Sequence, residues 1–451
     1  MSRAISFEIS IDDIEKQLEK YSWIDSYEIF TQSLFKLTSI SQLRKNGLPQ
    51  TKFQKRKTSG FAIRYITTTH HLVELSLGIS LIKKLAELQP PKSTQLTNTK
   101  ALFNELKKPK LTSIAGDDFK STNISTELSL NTIDNLASLL HDDVLEGSTI
   151  TFEIEKEIVQ LVNSHSKPQQ INSLHTSLGY QYTFENHQKY LTAENTEFRR
   201  NLHFNNHEII QNVSNSISNR LIKSVDIDPK DAKIVLHPEV LGRIIAYQSS
   251  LFLSDSPIEQ NIIWSDNFFL YDDPLRDHGY YSVFMDDEGT ETKSKTLIER
   301  GVHKRGLNTL LNTKWKEGGN AFRNMWFHPV KHSFEYAIRK DATNLVLSGG
   351  TGKGEKFTNS QGLSLLIKNG HGYIGGLASN PFFVIHSSET EVWRNGEFLG
   401  PTKNYTISGS LHDVMTYGDL SADEYQVIDR AIPTAIYIGW LRLPSDLITF
   451  G

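Results

Sequence analysis

The sequence predicts an α+β protein built from two domains, and three observations carry that prediction. The chain has 451 residues, whereas a single hydrophobic core stops growing at roughly 250–300 residues. Its first half mixes helical and strand periodicities in the manner of helices laid on antiparallel strands. Its second half is dense in short β-prone runs punctuated by turn signals: DDEG at 286–289, then Gly318-Gly319, Gly349-Gly350, Gly375-Gly376 and Asn395-Gly396. The polar stretch VDIDPKD at 225–231 lies between these halves. The prediction is therefore an N-terminal α+β domain over 1–228 and a β-rich C-terminal domain over 229–451.

Each element follows from local pattern. Ile11, Ile14, Leu18 and Tyr21 share one face at helical spacing, so 11–21 is predicted as a helix. Residues 26–47 are rich in β-branched and aromatic side chains and predict one or two strands ending at a turn, and SGFAIRYITTT at 59–69 predicts another. The basic run KFQKRK at 52–57 reads as a solvated hairpin or loop. Residues 71–88 return to helical spacing before Pro90-Pro91, and the weakly patterned 92–128 predicts loops with short elements. TIDNLASLLHD at 132–142 is a helix with Thr132 as its N-cap. Two long strands are expected at 148–164 and 178–198. A helix at 207–224 follows, with Ile209, Ile210 and Val213 on its apolar face. Beyond the boundary a helix begins near His237, and short strands run to the end.

Composition removes several function classes. Formal net charge is −4, so there is no concentrated positive surface to argue for nucleic acid. The chain has no cysteine, which excludes disulfides, thiolate metal ligands and a cysteine nucleophile. The N-terminus turns acidic and amphipathic at once, unlike a signal peptide, and no run reaches the roughly 18 apolar residues of a membrane span. A soluble, cytoplasmic protein is expected.

Four stretches invite a chemical reading. NLVLSGGTGKGEK at 344–356 mimics a phosphate loop, but Glu355 stands where the lysine is needed, so a glycine turn after a strand is expected. HPVKH spaces His328 and His332 for one helical face, making them weak metal candidates; otherwise they are surface or core histidines. Asp286, Asp287 and Glu288 before Gly289 form either an acidic turn whose Asp side chains bond local backbone, or a carboxylate cluster for cations or acid–base work. In HPEVLGRII at 237–245, His237 fits an N-cap edge, Pro238 the first helical position and Glu239 the favourable end of the helix dipole. A zinc site there needs a second His one turn on, where Leu241, Gly242 and Arg243 stand.

Taken in order, VLHPEVLGRII, DDPL at 272–275, HGYYSVFMDDEGTETKSKTLIERGVHK at 278–304, GGNAFR at 318–323 and VWRNGEFLGPTKNYTISGSLHDVM at 392–415 resemble the TldD/PmbA family, also called the modulator of DNA gyrase family. The resemblance covers 233–420 well. The N-terminal half matches in outline, SGFAIRYI being similar to the family's Gly-x-Gly-Val-Arg strand. It implies an α/β N-terminal domain, a β-rich C-terminal domain of unusual topology, and dimers that often pair a TldD-type chain with a PmbA-type (TldE) chain. The TldD-type chain holds zinc through His-Glu-x-x-x-His and a cysteine, and its peptidases act on unfolded or small peptides, including precursors of modified peptides. The PmbA-type chain lacks the metal motif and tends to read Ser-Pro-Glu-Val.

His237-Pro238-Glu239-Val240 follows that second pattern, with His in place of Ser. The expectation is a non-catalytic TldE-like subunit with no cofactor of its own. Zinc would sit on a TldD-like partner, and His237, Asp286, Asp287 and Glu288 are substrate-channel candidates. Two alternatives stand beside it: a homodimeric peptide-binding or scaffold protein, and an independent hydrolase whose non-standard metal site uses His237 with His328 and His332.

Overall fold

The computed structural model describes residues 11–44, 47–69, 71–78, 148–164, 166–186, 189–202, 204–253, 264–309, 318–325, 331–375, 381–429 and 432–451, together with Leu85, Leu88 and Ile133. It is an α+β structure. The expected helix at 132–142 lies outside the described residues save for Ile133, as do most of 79–147.

The N-terminal half is one antiparallel sheet with helices on one face. Helix α1 (Ile11–Leu18) buries Ile14 and Leu18, as its spacing predicts. Strands β1 (Ile24–Arg44), β2 (Gly47–Thr67), β3 (Leu72–Gly78), β4 (Thr149–Asn163), β5 (Ser166–Asn186) and β6 (Lys189–Arg199) pair in the order β3-β2-β1-β4-β5-β6. Helix α2 (Asn206–Leu221) closes the half, with the Asn205 side chain accepting from the Glu208 N–H as N-cap. β1 and β2 form one long hairpin whose residues 52–57 are exposed, as their charge suggests.

Two elements depart from the sequence reading. Residues 72–78 form a strand instead of the start of a helix. Val73 and Leu75 pack with Ile63 and Tyr65 across from them, and that pairing with β2 overrides the helical spacing. Residues 178–198 are not one strand but the hairpin β5–β6, with Asn186 opposite Lys189.

Strand β4 shows why this sheet matters to function. Ile150, Phe152 and Ile154 bury one face against α2 through Ile209 and Val213. Glu157, Val159 and Leu161, of the opposite parity, are also buried. Val159 and Leu161 meet Val283, Phe284, Met285, Phe322 and Phe334 of the C-terminal half. A strand that alternates apolar and charged residues is usually solvated on its charged face, yet here that face is covered.

The C-terminal half begins with β7 (Lys233–Leu236) and α3 (Pro238–Leu253). Next come β8 (Phe269–Asp272), β9 (Lys295–Glu299), β10 (Val302–His303), β11 (Ala321–Arg323), β12 (Ile338–Lys340), β13 (Asn344–Ser348), the single turn α4 (Glu355–Thr358), β14 (Leu363–Gly375), β15 (Phe382–Arg394), β16 (Glu397–Pro401), β17 (Thr406–Ser410) and α5 (Leu411–Tyr417). β18 (Asp419–Leu420), β19 (Tyr425–Ile428), β20 (Ala435–Ile438), β21 (Leu441–Leu443) and β22 (Thr449–Phe450) complete it. One sheet runs β10-β9-β8-β13-β20-β19; the other runs β18-β21-β7-β14-β15-β17-β22, with β16 paired to β15. Leu241, Ile244 and Ile245 of α3 share a core with Leu345 and Ile436 of the first sheet and Leu365 and Ile367 of the second. The phosphate-loop mimic is a glycine turn after β13. There the Gly354 N–H that a phosphate would use donates to the Asp423 carboxylate.

Candidate functional site

The stretch around His237 is a strand-to-helix junction. The His237 N–H donates to Ile367 O at 3.0 Å, which extends the parallel pairing of β7 with β14. Its Nδ1 accepts from the Glu239 N–H at 3.3 Å, capping α3 as a side-chain oxygen would. The ring packs edge-on to Trp440 at 4.7 Å and near Tyr425 at 6.1 Å. Burial, assisted by the Lys368 charge, lowers the imidazole to about 3 and keeps it neutral. One turn on, Leu241 is fully buried in the core, a Cβ on Gly242 would stand 2.8 Å from Val427, and Arg243 donates to Gly370 O at 2.9 Å. Glu239 lies 3.7 Å from that same guanidinium. Among the described residues the donor set therefore does not fit a zinc ion, since no second imidazole stands beside the first and the chain has no thiolate.

The acidic turn is a turn, but a buried one. Asp286, Asp287 and Glu288 are at most 1% exposed. Gly289 takes a left-handed φ of 76°, and Met285 bridges Glu291 across the turn. Asp286 Oδ1 accepts from the N–H groups of Glu288 at 3.0 Å and Thr290 at 2.9 Å, while Oδ2 accepts from the Ala321 N–H at 3.0 Å. Burial, then the Glu288 charge, push this carboxyl well above the usual range. Asp287 accepts from the Arg323 N–H at 2.6 Å and meets His332 Nδ1 at 2.7 Å.

Glu288 reaches out of the domain. Its Oε1 accepts from Arg64 of β2 at 2.7 Å, and Arg64 in turn binds both oxygens of Glu28 at 3.0 and 2.8 Å. All three side chains are fully buried, and the Arg323 guanidinium stands 4.0 Å from Glu28. Arg323 itself bonds the Glu74 carboxylate of β3. Burial pushes Glu28 up while Arg64 pulls it back, and the two carboxylates hold Arg64 the more firmly protonated. Gln32 of β1 joins the same seam, bridging Glu157 at 2.6 Å and the His332 carbonyl. The turn is thus one half of an ionic clasp between the two halves of the chain.

Residues 229–447 match the family described as PmbA/TldA metallopeptidase C-terminal domain. Over these residues the chain carries a TldD/PmbA-family C-terminal domain. Two proteins of Buchnera aphidicola, each named a metalloprotease TldD homolog, are 28% identical to it over 149 and 137 residues. Those matches span 32% and 30% of this chain but only 29% and 26% of the relatives, under a third of their length. Among solved structures, TldE of Thermococcus kodakarensis superposes with a TM-score of 0.72 at 15% identity, covering 96% of this chain and 98% of that one. A Thermotoga maritima protein described as a modulator of DNA gyrase gives 0.68 at 14% identity, covering 97% and 98%. A Bacteroides thetaiotaomicron protein of the same description gives 0.66 at 14%, covering 95% of each. At such identities the likeness is one of fold.

The family signatures turn out to be neighbours. Asp272 of DDPL accepts from Asn320 of GGNAFR at 2.7 Å and from the Thr343 N–H and Oγ1 at 2.8 Å each. Asn320 also takes the Lys295 ammonium. DDEG bonds the backbone of Ala321 and Arg323 in the same segment. Arg64, the partner of Glu288, is the arginine of the TldD/PmbA-like strand SGFAIRYI. Glu28, Glu157 and Gln32 carry no motif, and their one signal is polar residues in strands that otherwise alternate with buried apolar ones. Of the three histidines weighed for an independent metal site, His237 packs on Trp440, His332 is bound to Asp287, and His328 lies outside the described residues. Among the described residues no group of three or more His, Asp or Glu side chains is placed to hold a metal.

His332 supplies a pH dependence. Burial opposes its charge, but Asp287 and then Glu157 outweigh that, so its folded pKa is raised above 6.5. A raised folded pKa means the stabilisation is complete below the unfolded value and is lost as pH climbs through the folded one. The stability gap between wild type and His332→Gln is therefore expected to shrink as pH rises above 6.5. Urea unfolding of both proteins at a series of pH values checks this; a gap that widens with pH would contradict it.

Proposed function

We propose that this chain is the non-catalytic, TldE-like subunit of a two-chain zinc metallopeptidase acting on unfolded or small peptides. The observation that carries this reading is the helix α3 entrance, where the positions one turn after His237 leave no room for an imidazole: Leu241 is fully buried among core side chains, and a Cβ on Gly242 would stand 2.8 Å from Val427. A zinc peptidase needs an imidazole there and an open coordination position to activate water. In this reading zinc resides on a TldD-like partner in the cytoplasm. This chain completes the dimer and the wall of the peptide channel, and an extended peptide is held by strand addition to a sheet edge, which tolerates varied sequence. Asp286, Asp287 and Glu288 act from behind that wall, through the clasp that fixes how the two halves meet. The whole-length likeness of fold to the Thermococcus TldE supports the assignment.

The test is co-expression with a TldD-type chain. Metal analysis is expected to find zinc in the complex and none in stoichiometric amount on this chain alone. Size measurement is expected to show a mixed dimer, and casein-derived peptides to be cut only by the complex. One zinc per chain on the isolated protein, or cleavage by it alone, would overturn the proposal.

A further inference from the structure

The face of the N-terminal sheet that meets the C-terminal half does not end at the clasp. Past Glu157 it continues as two polar rows. Lys36, Glu155 and His175 are direct cross-strand neighbours on β1, β4 and β5, and Thr38, Glu153 and Ser177 form the next row. Tyr280 and Tyr281 stand opposite, and the two surfaces border a partly open cleft of about 70 Å³.

Inside this cleft the polar groups do not balance. Glu153 is matched by Lys36 at 3.1 Å, Thr38 at 3.2 Å and Ser177 at 3.2 Å. Glu157, one step deeper, is matched by Gln32 at 2.6 Å and Ser173 at 3.0 Å. Glu155 has no hydrogen bond or ion pair among the described residues, and its nearest cation, Lys36, is bound to Glu153. Burial, then the Glu157 charge, raise the Glu155 carboxyl to about 7 even against Lys36. His175 is 9% exposed, its Nδ1 has no hydrogen-bond partner among the described residues, and its ring lies 4.6 Å from that of Tyr280. Burial holds this imidazole well below its usual pKa, hence neutral.

What these groups lack is a cation that donates hydrogen bonds. An unbonded carboxylate accepts, a neutral imidazole nitrogen accepts, and tyrosine rings turn negative faces to positive charge. A bare metal ion is not favoured, since among the described residues no three His, Asp or Glu side chains converge here. The cleft is small and partly open to solvent, so it takes an ammonium head while the alkyl chain extends outward. The geometry points to a primary-ammonium site: the cleft between Glu155, His175 and Tyr280 binds an alkylammonium group, as carried by a lysine side chain or a free peptide N-terminus. The site stands independently of the two-chain reading above.

Calorimetric titration of the full chain tests this with n-butylammonium, Nα-acetyl-lysine amide and alanine amide as probes, and butanol as the uncharged control. Saturable one-to-one binding of butylammonium is expected, with none of butanol. The acetyl-lysine arm binds if the natural source is a side chain, the alanine amide arm if it is an N-terminus. Glu155→Gln removes a hydrogen bond to a charged group and is expected to weaken binding about tenfold or more. Glu155→Asp should fall between, and Asp266→Asn, at an exposed carboxylate, should change nothing. If Glu155→Gln fails to fold by circular dichroism, the His175 imidazole resonance of the wild type decides, since it must shift on titration. No saturable butylammonium binding, butanol binding as tightly, an unchanged Glu155→Gln affinity, or an unmoved His175 signal would each overturn the site.

Discussion

Arg64→Ala is expected to destabilise the folded chain by about 3–5 kcal/mol, the usual range for deleting one partner of a buried ion pair. The reason lies less in the attraction lost than in what stays behind. Glu28 and Glu288 are each fully buried and both bind this guanidinium. Without it two carboxylates face each other in a space closed to water, with the Arg323 guanidinium 4.0 Å from Glu28. The variant should therefore unfold at lower denaturant and, because the clasp joins two sheets, lose cooperativity between the halves. A useful contrast is the Arg442–Asp419 pair, which at 2.6 Å is as short as the Arg64–Glu288 pair at 2.7 Å. Its side chains are 29% and 63% exposed, so Arg442→Ala should cost no more than about 1 kcal/mol. Equal losses for the two variants in guanidinium unfolding would remove the argument that burial makes the clasp.

Asp286→Ala should cost about 3 kcal/mol or more. It leaves the N–H groups of Glu288, Thr290 and Ala321 without their acceptor, and each orphaned buried donor costs on the order of 1–3 kcal/mol. Part of that is returned, because the carboxyl is itself strained by burial and by the Glu288 charge. Asp286→Asn keeps one oxygen for two of the three donors and should lose less. Amide hydrogen exchange gives the local readout: faster exchange at Ala321 and Thr290 in the Ala variant, intermediate in Asn. Wild-type stability in Asp286→Ala would mean that the turn does not frame the 321–323 segment.

Both predictions concern groups whose importance was only partly readable. The acidic turn was legible as a turn, since Gly289 supplies the left-handed φ and Asp side chains bond nearby N–H groups. Its burial was not, because the compensating charge lies 224 positions away, at Arg64. His332, expected as a surface or core histidine and only weakly as a metal partner of His328, is a core histidine whose partner Asp287 lies 45 positions away. The helix spacing in 71–88 was real in the sequence, yet residues 72–78 had an open strand beside them, and cross-strand packing is stronger than spacing alone.

Some properties belonged to the sequence by itself. The absence of cysteine, and of a His one turn after His237, was legible from the sequence alone, because it depends on residue identity and not on folding. The periodicities of 11–18, 149–163 and 206–221 likewise fixed those elements locally, because helix and strand faces depend on residues a few positions apart. Only the tertiary structure decided the fate of Glu28, Glu155, Glu157 and Glu288. A carboxylate on one face of a strand is solvated, clasped or left waiting for a cation according to what another part of the chain lays over it. That cover, and the charges it brings, come from residues too distant in sequence for any local pattern to encode.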